Sequence, residues 1–179
     1  MFYVSEIQEK APKQFQTLLQ EEVYKALEKL QIPFQRVATD PAITMEDCSV
    51  IEEKLNVKMV KTLFLCNRKQ TECYLFITKG DKPFRSKEFG AALRISRVSF
   101  APAQQLEEML GTQIGAATIF SSLLDQENKV QIVLDKEVLT EQWYGCSDGT
   151  RTGYMKVRTM DICQKFLPFT KHPFLTVEV

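Results

Sequence analysis

The chain has 179 residues, 44% hydrophobic and 26% charged, a size and composition at which one packed core is usual and no disordered tract is expected, so a single domain over 1–179 is predicted. Its 23 basic and 23 acidic residues cancel to zero, which excludes the broad positive field of a protein that grips duplex nucleic acid, and no DNA partner is expected. No apolar run reaches the roughly 20 residues of a membrane span and the start Met1-Phe2-Tyr3-Val4-Ser5-Glu6 lacks a basic region before an apolar one, which predicts a cytoplasmic protein without membrane contact.

In chain order, residues 12–31 place Phe15, Leu18, Leu19, Val23, Leu27 and Leu30 at helical spacing between Pro12 and the breaker Pro33, predicting an amphipathic helix. Residues 34–38 read as extended. Thr44-Met45-Glu46-Asp47 resembles a capping box with Asp in place of Glu and starts a helix through Leu55. Two apolar strands, 60–66 and 73–78, are separated by a polar stretch of hairpin length and should lie antiparallel. A helix over 86–93, a strand over 97–100 and a helix over 103–110 stopped by Gly111 follow. The remainder reads as a strand over 130–134, a strand over 154–158, a helix over 159–167 ended by Pro168, and a final strand over 174–179. Antiparallel strands mixed irregularly with helices predict an α/β fold of the α+β type, a mixed, mainly antiparallel sheet with surrounding helices.

Five cysteines, an odd number with no CxxC pair, fit reduced thiols, and the single histidine, His172, leaves no zinc-ligand set; no metal and no cofactor are expected. The lack of a histidine elsewhere also speaks against a serine or cysteine triad. A local basic cluster such as Arg85, Lys87 and Arg94 is compatible with contact to one end of a nucleic acid, and equally with a solvated face. Trp143 and Tyr144 read as core residues rather than a stacking platform.

Lys61 is the unusual residue. Strand alternation puts it on one face with Leu63 and Leu65, where a lysine is either a functional group or a strand-end side chain reaching for water. The segment Gly111-Thr112-Gln113-Ile114-Gly115-Ala116-Ala117-Thr118 has small residues that let a ligand approach the backbone N–H groups, although a plain helix-to-strand turn explains it as well. The segment from Gly145 to Gly153 reads as a second glycine-bearing loop with hydroxyls and the Arg151 guanidinium.

These residues stand in an order that resembles a known family. Val60-Lys61-Thr62-Leu63-Phe64-Leu65-Cys66-Asn67-Arg68 is similar to the lysine strand of the YbaK and prolyl-tRNA-synthetase-associated editing proteins. Gly80-Asp81-Lys82-Pro83-Phe84, Arg97-Val98-Ser99-Phe100-Ala101, the Gly115 loop, residues 128–135, Phe166-Leu167-Pro168 and His172-Pro173 follow in family order over nearly the whole chain. The resemblance implies a trans-acting deacylase that hydrolyses mischarged proline tRNA, with alanine as the first expected amino acid and cysteine as the second. It assigns Lys61 the functional lysine, and it makes Thr62, Gly115, Ala116, Ala117, Thr118, Ser147, Gly149 and Arg151 the expected substrate-binding residues. The implied partner is the 3′ acceptor end of aminoacyl-tRNA, with prolyl-tRNA synthetase or an elongation factor as further candidates.

Two departures bear on substrate. Thr62 stands where the proline-editing branch usually has asparagine, and Ser147, Asp148 and Arg151 stand where its histidine, proline and asparagine align. The pattern Ser147-x-Gly149-x-Arg151 instead resembles the YbaK branch, whose members remove cysteine from proline tRNA. The altered loop motivates an alternative, a catalytically weak or inactive relative that serves as an amino-acid or aminoacyl-tRNA binding module.

Overall fold

The computed structural model describes residues 1–179. Helix α1 (Leu18–Lys29) starts later than the apolar periodicity suggests, because Thr17 caps it by accepting from the Gln20 N–H while the Gln20 side chain accepts from the Gln16 N–H. Pro12 and Phe15 therefore precede the helix, with Phe15 stacked on Tyr24 instead of continuing its apolar stripe. Strand β1 (Gln35–Ala38) follows, then α2 (Met45–Leu55), whose capping box is formed by Thr44 and Asp47 as the sequence indicates. The hairpin of β2 (Val60–Asn67) and β3 (Cys73–Lys79) is antiparallel, with Lys61 opposite Thr78 and Leu63 opposite Phe76.

Helix α3 (Ser86–Leu93), strand β4 (Val98–Phe100) and helix α4 (Ala103–Leu110) come next, the last closed by Gly111 in the left-handed conformation. A 3-10 turn over Ile119–Leu124, which apolar periodicity alone does not reveal, leads into β5 (Val130–Asp135) and the single turn α5 (Lys136–Leu139). Strands β6 (Trp143–Ser147) and β7 (Gly153–Arg158) form a hairpin. The expected long glycine loop is thus shorter than the sequence suggests: Gly145 and Gly153 belong to strands and only 148–152 turn the chain.

The C-terminal helix runs past Pro168 instead of ending there. It comprises α6 (Thr159–Asp161), a π-helical stretch Ile162–Phe166 and α7 (Leu167–Thr170). The wider turn just before Pro168 restarts the helix with proline near the first position of α7, where its missing N–H costs nothing. Strand β8 (Phe174–Val177) closes the fold.

The strands make two sheets, β1-β7-β6, wholly antiparallel, and β4-β2-β3-β5-β8, in which β3, β5 and β8 run parallel. A parallel bridge between Met59 and Gly145 joins them. One face of the larger sheet carries Phe64, Cys66, Leu75, Ile77, Ile132 and Leu134 into the main core, which also takes in α1 and both β6 and β7. The other face carries Leu63, Leu65, Phe76 and Val133 against Phe89 of α3. With both faces covered, every residue from Cys73 to Thr78 is buried, so β3 reads as a continuous apolar run rather than an alternating one.

Candidate functional site

Three groups of residues arise from this frame. The first surrounds Lys61. Its face of β2 is the one that meets α3, and its cross-strand partner Thr78 shares that face. The half-buried ammonium donates to the backbone carbonyl of Lys82. Beside it, Asp135 is buried and accepts from the Thr78 hydroxyl at 2.7 Å, the Lys82 ammonium at 2.8 Å and the Glu137 N–H at 3.0 Å. Burial alone would raise the Asp135 carboxyl, but these donors outweigh it and hold the group below its ordinary value. Lys82 is raised in turn, because the Asp135 and Glu137 carboxylates overcome the desolvation that opposes its charge. The segment containing Lys82 is thereby tied to the end of β5, and Lys61 leans on it.

Thr62 projects from the opposite face of β2, toward the main core with Val60 and Phe64, so Lys61 and Thr62 do not line one surface.

The second group is the Gly115 loop together with the β6–β7 turn. The Thr112 hydroxyl lies 3.1 Å from both the Ala116 and the Gly149 carbonyl oxygens, and the Arg151 guanidinium donates to the Ile114 carbonyl at 3.2 Å. The structure thus brings together the two loops that the sequence marks separately. Within the pair the residues differ in access: Gly115 and Arg151 are exposed and Ala117 is half-buried, while Ala116, Thr118, Ser147 and Gly149 are buried. Ser147 donates to the Thr150 carbonyl and accepts from the Gly149 N–H, and Thr118 caps the 3-10 turn, so both hydroxyls already have structural partners. Gly115, at φ +90, has nothing within 4 Å of where a Cβ would stand. The Gly115 and Ala117 N–H groups donate to no acceptor within the chain. No hydrogen bond links Lys61 to this pair of loops.

The third group gives no signal in the periodicity. Asp148, 1% exposed, accepts from the Gln20 amide at 2.9 Å, the Tyr24 hydroxyl at 2.8 Å, and the Thr150 N–H and hydroxyl. It fastens the β6–β7 turn beneath α1, and burial followed by the Asp148 charge pushes the Tyr24 hydroxyl far up. The one hint in the sequence is the Asp148-Gly149 dipeptide, a turn former. Tyr144 is core as expected, but Trp143 is 37% exposed on the sheet surface.

One surface hollow of about 400 Å³ lies beside Cys73, Leu93 and Pro173, and another of about 420 Å³ lies beside Lys82 and Asp135 of the first group and Glu178. Neither is lined by Lys61, the Gly115 loop or the β6–β7 turn. No three histidine, cysteine, aspartate or glutamate side chains converge as metal ligands would, and no helix is long and apolar enough to cross a membrane.

The model of the aminoacyl-tRNA editing domain matches residues 39–164, well over half of the chain. The chain belongs to that family. The sequence resemblance to YbaK-like editing proteins is therefore borne out, and membership implies deacylase activity on aminoacyl-tRNA. Among curated relatives, the prolyl-tRNA editing protein ProX of Acetoanaerobium sticklandii is 28% identical over 117 residues, covering 65% of this chain and 71% of that protein. Among solved structures, one described as a candidate trans-editing enzyme for prolyl tRNA synthetase matches with a TM-score of 0.66 at 14% identity, over 92% of this chain and 99% of that one. A computationally designed epitope scaffold matches with the same TM-score at 15% identity, over 91% of this editing-domain chain and 98% of its own. The shared architecture agrees with the predicted α/β fold of mixed, mainly antiparallel strands.

Proposed function

We propose that the chain is a trans-acting deacylase that hydrolyses the ester of proline tRNA bearing the wrong amino acid, alanine in first place and cysteine in second. The observation that carries this reading is the reach of the editing-domain match, from residue 39 to 164, which encloses Lys61, the Gly115 loop and the β6–β7 turn. Proline tRNA is supported by the relative named prolyl-tRNA editing protein ProX.

The reaction is acyl transfer to water. Water oxygen bonds to the ester carbonyl carbon, the bond from that carbon to the ribose oxygen breaks, the ribose oxygen takes up one of the water's protons, and the amino acid leaves as its carboxylate with the other proton released to solvent. Negative charge develops on the carbonyl oxygen, and donors already in place at that position lower the barrier. The uncommitted N–H groups of Gly115 and Ala117 are the donors this reading assigns. Lys61, on the α3 side of β2 and away from those loops, is assigned a different part: its remaining N–H donors hold a phosphate of the 3′ end and fix the substrate in place. Arg151, exposed at the loop junction, is a further phosphate contact.

His172 is bound to Asp125 and offers no base to this site, so the neighbouring ribose hydroxyl of the tRNA carries the proton. The reading gives no metal or cofactor a part, and it includes delivery of substrate by prolyl-tRNA synthetase or an elongation factor. Small residues at Ala116 and Ala117 suit a pocket that excludes larger amino acids by size.

The test is deacylation of proline tRNA charged separately with alanine, cysteine, serine and proline. Loss of alanine with survival of prolyl-tRNA is the expected result. Gly115→Ala, which keeps the space but strains φ +90, is expected to lower kcat by at least about tenfold by moving the donors. The burial of Ser147 and Thr118 favours a second reading, a binding module. Tight binding of charged tRNA with no turnover of any of the four would select it.

A further inference from the structure

The outer face of the β1-β7-β6 sheet is covered by α2 at one end only, where Val37 and Tyr154 pack on Ile51 and Leu55. At the other end Trp143, opposite Arg158 in register, stands exposed on β6, the edge strand of that sheet. The Lys156 ammonium lies 4.6 Å and the Arg158 guanidinium 5.2 Å from the centre of its ring. Neither cation has a carboxylate partner: Lys156 donates only to the Asn56 carbonyl, at 3.3 Å, and Arg158 is in no ion pair. Lys58 packs its backbone on Gly145, opposite Lys156, and its ammonium pairs with Glu52 at 3.5 Å.

An exposed aromatic ring beside two cations that lack carboxylate partners and can swing from the ring to a phosphate has the chemistry of a single-stranded nucleic acid site. The cations take successive phosphates and the indole takes a base. A protein partner fits less well, since the apolar side chains beside the strand, Val57 and Met59, are half-buried against Gly145, and what is left exposed next to Trp143 is unpaired positive charge. In a chain of zero net charge such a site has to be local, as this one is.

We infer that Trp143, Lys156 and Arg158 form a binding surface for a single-stranded RNA segment, which on the functional reading above is the unpaired 3′ end or adjacent acceptor strand of the tRNA substrate. The proposal rests on that reading for the identity of the RNA, but the surface and its test do not require turnover. Stacking adds affinity that depends on bases, whereas the two cations add affinity that falls with salt.

Trp143 is the only tryptophan in the chain, so its fluorescence reports directly from the site. The experiment titrates the full chain with a short single-stranded RNA ending in CCA, with uncharged tRNA, and with heparin as a polyanion lacking bases. Quenching by both RNAs that weakens as salt is raised, with a several-fold higher Kd in Lys156→Gln and in Arg158→Gln and no comparable quenching by heparin, is the expected result. Unchanged Trp143 fluorescence at RNA concentrations that bind, or equal quenching by heparin, would overturn the proposal. Arg158→Gln removes the cross-strand neighbour of Trp143, so both variants are first checked for an unchanged urea midpoint, and Lys156→Gln stands as the second test. Deacylation by the same samples separates the two ideas. Turnover with an unchanged KM in both variants sinks this surface and leaves the deacylase, while RNA quenching without turnover of any charged tRNA sinks the deacylase and leaves the surface.

Discussion

His172 shows how a side chain that looks chemical can be consumed by the fold. Its Nδ1 lies 2.8 Å from the Thr170 carbonyl and its Nε2 2.9 Å from the Asp125 carboxylate, with both residues buried. Asp125 also accepts from the Lys129 and Val130 N–H groups, which lead into β5. His172→Ala leaves that carboxylate short of a buried partner and is expected to destabilise the chain by about 2–4 kcal/mol in urea denaturation, without a specific loss of activity per folded molecule. The pH dependence has a fixed sign. Burial alone would raise Asp125, but His172 and the two N–H groups outweigh it and hold the carboxyl below its ordinary value. Its contribution is present above the ordinary carboxylate range and is lost as pH falls through the lowered value. Asp125→Asn should therefore lose less of its urea midpoint than wild type between about pH 6 and about pH 3. At this scale the sequence reveals that Lys61 shares a face with leucines, because strand alternation follows from neighbours in the chain. The Asp125 and Asp148 clusters join residues 47 and 128 positions apart, and no local pattern encodes such pairs.

Elements follow their local signals closely where capping and periodicity agree, as in α2, the β2–β3 hairpin and α4. The differences are also physical. Thr17-Leu18-Leu19-Gln20 carries the Thr-x-x-Gln start signal that competes with the earlier proline and wins. A π-helical turn is not legible from periodicity, so Pro168 reads as a stop when it is a restart. Strand β6 is hidden because Gly145, Ser147 and Gly149 together look like a loop, although Gly145 is there to admit Lys58 and Met59 of the neighbouring chain segment. The join between α1 and the β6–β7 turn gives a prediction at this scale. Tyr24→Phe removes one donor from buried Asp148 and should cost about 1–2 kcal/mol of stability with the helix content by circular dichroism unchanged.

For the molecule as a whole, the two sheets share one core, with α1, β3, β5, β6 and β7 all contributing to it. We propose that the chain unfolds as one domain over 1–179, so Trp143 fluorescence and far-ultraviolet circular dichroism should give coincident urea transitions. Two separated transitions would divide it. The same arrangement explains the partial legibility of the site. The Gly115 loop and the β6–β7 turn are recognisable as glycine-rich segments, but their junction through Thr112 and Arg151 depends on how α4 and β6 meet, and the divergence of Lys61 from Thr62 depends on which face of β2 looks at which core.

We propose that this editing domain hydrolyses mischarged proline tRNA with Lys61 holding the substrate in place. The most direct measurement is the rate of deacylation of alanyl-tRNA for proline by wild type and Lys61→Ala, with urea midpoints taken in parallel. Wild type should turn over, Lys61→Ala should lose at least about a hundredfold, and the midpoint should change little because Lys61 is half-buried and bonds only to one carbonyl. Full activity in the folded Lys61→Ala protein would contradict the proposal.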